Sequence, residues 1–102
     1  MEEIIKRLQG IGLSLTQAKV YYFLLQHKKA KAGIICSKIN IPRSHIYDVL
    51  EKLLNKGIIS FKIMNNVKVY RPVDPKALFS IIREKERELE KEKNELKEFV
   101  ST

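Results

Sequence analysis

The spacing of apolar residues predicts a mainly α chain with one small β-hairpin and a long, charged C-terminal helix. Three observations carry that expectation. Apolar residues recur at helical spacing up to Leu54, switch to alternate positions at Ile59, Phe61 and Ile63, and return to gaps of three and four from Leu78. Pro42 breaks the first of these runs and the pair Asn65-Asn66 follows the second, where turns are needed. The last stretch, REKERELEKEKNELKEF, mixes both signs of charge around a sparse apolar seam. At 102 residues the chain has room for one small domain and one appendage.

Residues 2–9 form a short helix with Ile4, Ile5 and Leu8 on one face, interrupted by Gly10 and Gly12. Thr16 is the expected N-cap of a second helix over 17–28, whose inner side carries Ala18, Tyr21, Leu24 and Leu25 with Val20 on its flank. A third helix, 32–39, turns Ile35, Cys36 and Ile39 inward. Asn40-Ile41-Pro42 ends it, since proline disfavours a helical residue before it and suits the start of a new helix. The fourth helix runs from 43 to 56 with Ile46, Val49, Leu50, Leu53 and Leu54 as its apolar sector, and Gly57 is a natural left-handed residue beyond its end. Strands 58–63 and 67–71 follow, joined by Asn65-Asn66, which tolerate the positive φ of a tight hairpin; Pro72 ends the second. Asp74 as N-cap with Pro75 behind it opens the last helix, running to about residue 99.

Charge is unevenly placed. Residues 1–82 hold 14 Lys/Arg against 5 Asp/Glu, a net of +9, while residues 83–102 hold 6 against 7, a net of −1. A basic globule with a neutral tail fits a polyanionic partner. The single cysteine, Cys36, excludes an intrachain disulfide and reads as a small buried apolar residue. No apolar run reaches membrane-spanning length. Catalysis has little to build on: no Gly-rich phosphate loop, no metal-ligand spacing, and His27 and His45 on different elements, so neither enzyme activity, cofactor nor metal is expected.

Helix, turn, helix and hairpin in this order make a helix-turn-helix with a wing, whose second helix presents its N-terminal residues to base edges of double-stranded DNA. Those residues are Arg43, Ser44, His45, Tyr47 and Asp48, with Lys52 one turn further. Arg43 can pair bidentately with guanine or hold a phosphate; Ser44 and His45 can bond to either; Tyr47 suits the phosphate backbone. Asp48 can orient Arg43 or a neighbouring side chain, or accept from a cytosine amino group. The wing offers Lys62, Asn65, Asn66 and Lys68 to a phosphate strand or the minor groove, and its lysines would also blunt an exposed sheet edge. Lys19, Lys28, Lys29, Lys31 and Lys38 on or near earlier helices are further backbone candidates. In the last helix Leu78, Ile82, Lys85, Leu89, Glu92, Leu96 and Phe99 follow gaps of four and three, an imperfect coiled-coil seam expected to make a homodimer. Lys85 and Glu92 disfavour a uniform parallel zipper, whereas an antiparallel pair would set Lys85 near Glu92 of a second copy.

The runs LSLTQAKVYYFLL, INIPRSHIYDVLEKLLNKGII and VYRPVDPKALF resemble the DNA-binding domain of the TrmB family of archaeal transcriptional regulators. The matching motifs are Leu15-Thr16, Pro42-Arg43-Ser44, Tyr47-Asp48-Val49-Leu50, Lys56-Gly57 and Tyr70-Arg71-Pro72-Val73-Asp74-Pro75, across residues 11–80. The resemblance implies a winged helix-turn-helix, a dimer, transcriptional control, and DNA contact at Arg43, Ser44 and Tyr47. Larger members of the family carry a C-terminal effector domain that binds sugars. This chain is read as a short form without it, natural or excised, so no small-molecule effector is expected. Residues 1–74 are expected to form the DNA-binding domain and 75–102 the dimerisation helix, in a cytoplasmic, nucleoid-associated protein. Competing readings are a winged-helix protein–protein module of the transcription or replication machinery and a low-specificity, chromatin-like DNA binder. Fold alone does not separate them.

Overall fold

The computed structural model describes residues 2–101. Its elements are α1 (Glu2–Gly10), α2 (Leu15–His27), β1 (Ala30–Lys31), α3 (Ala32–Ile39), α4 (Arg43–Asn55), β2 (Ile59–Met64), β3 (Val67–Pro72) and α5 (Ala77–Ser101). Helices α1 to α4 and the base of the sheet enclose one core, in which Tyr21, Leu24, Ile35, Ile46, Leu50, Leu53 and Ile58 are fully buried.

Ser14, not Thr16, is the N-cap of α2. The Ser14 hydroxyl accepts from the Gln17 backbone N–H at 3.1 Å, and the Gln17 side-chain oxygen accepts from the Ser14 N–H at 3.1 Å. This reciprocal pair satisfies two donors that a helix start leaves orphaned, which Thr16, already the second residue of the helix, does not do. The inner face of α2 is wider than expected: Val20 and Phe23 are buried with Ala18, Tyr21 and Leu24, while Leu25 is half-buried. Cys36 and Ile39 of α3 are likewise half-buried beside a fully buried Ile35.

The turn between α3 and α4 follows from its residues. Asn40 adopts the left-handed conformation (φ 57°), which asparagine tolerates, and donates its N–H to the Cys36 carbonyl. Pro42 then precedes α4, and its carbonyl accepts from the Ile46 N–H at 3.2 Å. Gly57 (φ 77°) turns the chain out of α4.

The hairpin turns at Asn65 (φ 52°) and Asn66 (φ 64°), and the register pairs Met64 with Val67, Phe61 with Tyr70 and Ile59 with Pro72. β3 therefore extends through Pro72 at its end. A third strand, unanticipated from sequence, completes an antiparallel sheet of order β1-β3-β2: Ala30 pairs with Tyr70 and Lys31 with Val69. Two residues are too short to show a period, so only the pairing reveals β1. Along β2 only Ile59 is buried; Phe61 is 38% and Ile63 67% exposed. The hairpin projects beyond the core, so its alternation marks a strand without marking a buried face.

Asp74 accepts from the Lys76 N–H at 2.9 Å, and its carbonyl accepts from Ala77. It thus caps a tight turn, and α5 begins at Ala77 rather than Pro75. Ala77, Leu78 and Ile81 pack against the core; further along, Leu89 and Leu96 are about three-fifths exposed. No helix among the described residues is long and apolar enough to cross a membrane.

Replacing Ser14 by alanine should lower unfolding free energy by about 1 kcal/mol, and Thr16→Ala should stay within about 0.5 kcal/mol. Urea titrations followed by circular dichroism distinguish the two; equal losses would refute the cap assignment. Tyr21 is fully buried, and its hydroxyl has no hydrogen-bond partner among the described residues. Tyr21→Phe removes that unmet demand and should leave stability unchanged or raise it by on the order of 1 kcal/mol. Burial also pushes the Tyr21 phenol above its ordinary value of 10.0. A phenol raised in the folded state contributes stability that is present below pH 10 and lost as pH climbs through the folded value. Wild type should therefore lose stability above pH 10 more steeply than Tyr21→Phe in the same titration.

Candidate nucleic-acid interface

Burial fixes which side of α4 faces out. Ile46, Val49, Leu50 and Leu53 are at most 3% exposed, so the residues between them cannot turn inward. Arg43, Ser44, His45, Tyr47, Asp48 and Lys52 all lie on the exposed arc, Tyr47 at its edge with 54% exposure. Asp48 is paired with Lys52 at 3.3 Å across one helical turn. Its partner is therefore Lys52 rather than Arg43. The pair is well exposed and adds little stability, but it partly neutralises a carboxylate where a phosphate chain would approach.

The remaining members of the arc divide into two groups. Arg43 and Tyr47 line a groove of about 700 Å³ between α3, α4 and the wing, together with Lys31, Gly33, Asn66 and Lys68. Ser44, His45, Asp48 and Lys52 lie outside it. Within the groove Arg43 leans onto α3: a β carbon placed on Gly33 would stand 2.7 Å from Arg43 Nη2. No carboxylate lines this groove.

The wing is similarly split. Lys68 sits opposite Ile63 and Lys62 opposite Val69, so alternation puts the two lysines on opposite faces of the sheet. The Lys68 ammonium lies 4.5 Å from the centre of the Phe61 ring, a contact worth roughly 0.5–1 kcal/mol at an exposed site. Phe61 in turn meets Tyr70 with ring centres 5.9 Å apart. Tyr70 is buried, and burial first, with Tyr47 second, raises its phenol above the ordinary value. Tyr47 and Tyr70 line the same groove at the root of the wing. Asn65 and Lys62 are exposed and do not line the groove.

Sequence reasoning picked out Arg43, Tyr47, Asn66 and Lys68 and named Lys31 only as a general backbone candidate. It missed Gly33. The available signal was a glycine inside a short helix, which weakens that helix unless something needs the space. A larger groove of about 750 Å³ lies elsewhere, between α1, α2 and the end of α3, with Ile5, Leu15, Tyr22, Phe23 and Ile39 in its walls. It shares no residue with α4 or the wing. His27 is exposed on that side, stacked on Phe23 with ring centres 4.0 Å apart. Among the described residues no group of His, Cys, Asp or Glu is placed to hold a metal ion.

The dimerisation candidates are spread along α5. Leu78 is half-buried on the core, and Ile82 is 36% exposed. Lys85 turns toward its own domain, where its Nζ would lie 3.8 Å from a β carbon at Gly12. Leu89, Leu96 and Val100 share one face with Glu92. Phe99 is 81% exposed.

Comparison with known proteins shows the family and the fold. The family described as sugar-specific transcriptional regulator TrmB matches residues 8–76. The chain is 35% identical over 83 residues to the HTH-type sugar sensing transcriptional regulator TrmBL1 of Pyrococcus furiosus, covering 81% of this chain and 24% of that protein. It is 32% identical over 77 residues to the uncharacterized protein YrhO of Bacillus subtilis strain 168, covering 76% of this chain and 28% of that protein. The chain thus spans about a quarter of the length of these relatives. Among solved structures, TrmBL2, described as an archaeal chromatin protein with a novel mode of DNA binding, superposes with a TM-score of 0.80 at 25% identity. The match covers 95% of this chain and 38% of that one.

Proposed function

Because the chain belongs to the TrmB family of transcriptional regulators, we propose that it is a homodimeric, sequence-specific regulator that binds double-stranded DNA. The observation that carries this reading is the arrangement at α4. Its polar N-terminal arc is exposed, and beside it a groove with no carboxylate among the described residues holds Lys31, Arg43 and Lys68 between α3 and the wing. The arc has the shape and chemistry to enter a major groove, with Ser44, His45 and Asp48 toward base edges. The groove suits the adjoining phosphate strand, and Asn65, Asn66 and Lys62 at the hairpin extend the contact.

In this reading residues 1–74 are the DNA-binding unit and 75–102 the dimerisation helix. A 25-residue helix is about 37 Å long, close to the 34–36 Å between half-sites one DNA turn apart. Leu89, Leu96 and Val100 give α5 an exposed apolar face that its own domain does not cover. Lys85 is drawn to its own domain, so pairing would begin beyond it. Such a protein works in the cytoplasm, on the nucleoid. A second reading, low-specificity binding as in chromatin, is favoured by the likeness to TrmBL2, an archaeal chromatin protein.

Binding to a duplex chosen from a random library, compared with its scramble across salt concentrations, tests both. If a dimer neutralises on the order of 6–10 phosphates, log affinity should fall against log salt with a slope of about −5 to −9. A flat response, or no binding at low salt, refutes the DNA reading. Equal affinity for the chosen and scrambled duplexes selects the chromatin-like one.

Leu89→Glu combined with Leu96→Glu should give a folded monomer by sedimentation and circular dichroism, with much weaker binding to a two-half-site duplex. A double variant that still sediments as a dimer places the interface elsewhere.

A further inference from the structure

Gly33 is the second residue of α3, a helix of 8 residues. Glycine weakens a helix relative to alanine, so its presence there calls for a reason. Arg43 supplies one. A β carbon on Gly33 would stand 2.7 Å from Arg43 Nη2, closer than side chains pack, and 3.6 Å from its Cζ. The guanidinium therefore occupies space that exists only because residue 33 has no side chain.

That seat decides where Arg43 points. It draws the guanidinium sideways, away from the outward arc of Ser44 and His45 and into the groove that also holds Lys31 and Lys68. With no carboxylate in that groove, the three cations repel one another unless an anion joins them. The Tyr47 hydroxyl and the Asn66 amide add neutral donors. The chemistry fits one phosphodiester of a DNA strand passing between α3 and the wing, since three clustered cations are better matched by a full negative charge than by a neutral base edge.

We infer that Gly33 is a positioning residue for DNA binding, keeping Arg43 on the phosphate backbone rather than on a base. The inference rests on the DNA-binding reading above. Arg43 then contributes affinity without sequence preference, and base reading is left to the outward side chains of α4. An alanine at position 33 pushes the guanidinium off its seat. The displaced atoms are the far end of a flexible side chain, so the fold is retained.

The test is a double-mutant cycle: wild type, Gly33→Ala, Arg43→Ala and the double variant. Each is titrated with the library-selected duplex and its scramble over a range of salt, after a thermal melt. Gly33→Ala should melt no lower than wild type. Arg43→Ala should weaken both duplexes alike, by roughly tenfold per protomer, and flatten the salt slope by about 0.9 per protomer. Gly33→Ala should weaken both in the same direction, and adding it to Arg43→Ala should change nothing further. If Gly33→Ala costs as much in the Arg43→Ala background as in wild type, Gly33 acts without Arg43 and the inference falls. It also falls if Arg43→Ala harms only the selected duplex, since Arg43 then reads a base. Wild type that binds neither duplex overturns the DNA-binding reading itself, and this inference with it.

Discussion

The burial of one face of α4 is the constraint on which the rest depends. Ile46, Val49, Leu50 and Leu53 are each worth roughly 1.5–3 kcal/mol when withdrawn from water, a large share of a small domain's net stability. Rotating the helix by a single residue would expose Ile46, Val49 and Leu53 and drive Tyr47 and Glu51 toward the core. Burying a carboxylate costs several kcal/mol more. The rotation of α4 is thus fixed without any polar contact to guide it, and its outward arc is what burial leaves over. Pro42 and the left-handed Asn40 set where the helix begins.

The wing depends on a smaller device. β1 contributes Ala30 and Lys31 to the sheet, and they stand immediately before α3. That pairing ties β3 to the start of α3, so the hairpin leaves the core at a set place and Lys68 shares a groove with α3 and α4. Phe61 and Tyr70 stiffen the outer sheet, and the ammonium of Lys68 rests on Phe61. An isolated two-stranded hairpin would be marginal in water. The added strand and the buried Tyr70 are what hold it in place.

Helix α5 answers to a different balance. Its first turns rest on the core through Ala77, Leu78 and Ile81; beyond them it carries nearly balanced charge and an apolar face open to solvent. The positive excess stays on residues 1–82, where the polar arc, the groove and the wing are. The two regions thus differ in the chemistry they offer a partner: one suits a polyanion, the other an apolar helix face.

Much of the fold was legible because it rests on local rules. The apolar period located α4, the switch to alternation located β2, and the positive φ at Asn65, Asn66 and Gly57 follows from residue type. The polar arc of α4 was legible for the same reason, since a helical wheel needs only sequence. Even the α2 cap was written there: Ser14 and Gln17 have capping-box spacing, although Thr16 offered a competing cap. Three features were not legible, because each depends on chain segments far apart in sequence. β1 exists only against β3. The exposure of Phe61 and Ile63 depends on how far the hairpin extends past the core. The seat of Arg43 depends on α3 and α4 crossing so that Gly33 meets a side chain ten positions later. Sequence by itself determined the helices, the hairpin, their order and which residues of α4 face outward, because propensity and periodicity act within a few residues. Only the tertiary structure decided which outward residues share a groove, because that follows from how the buried faces pack.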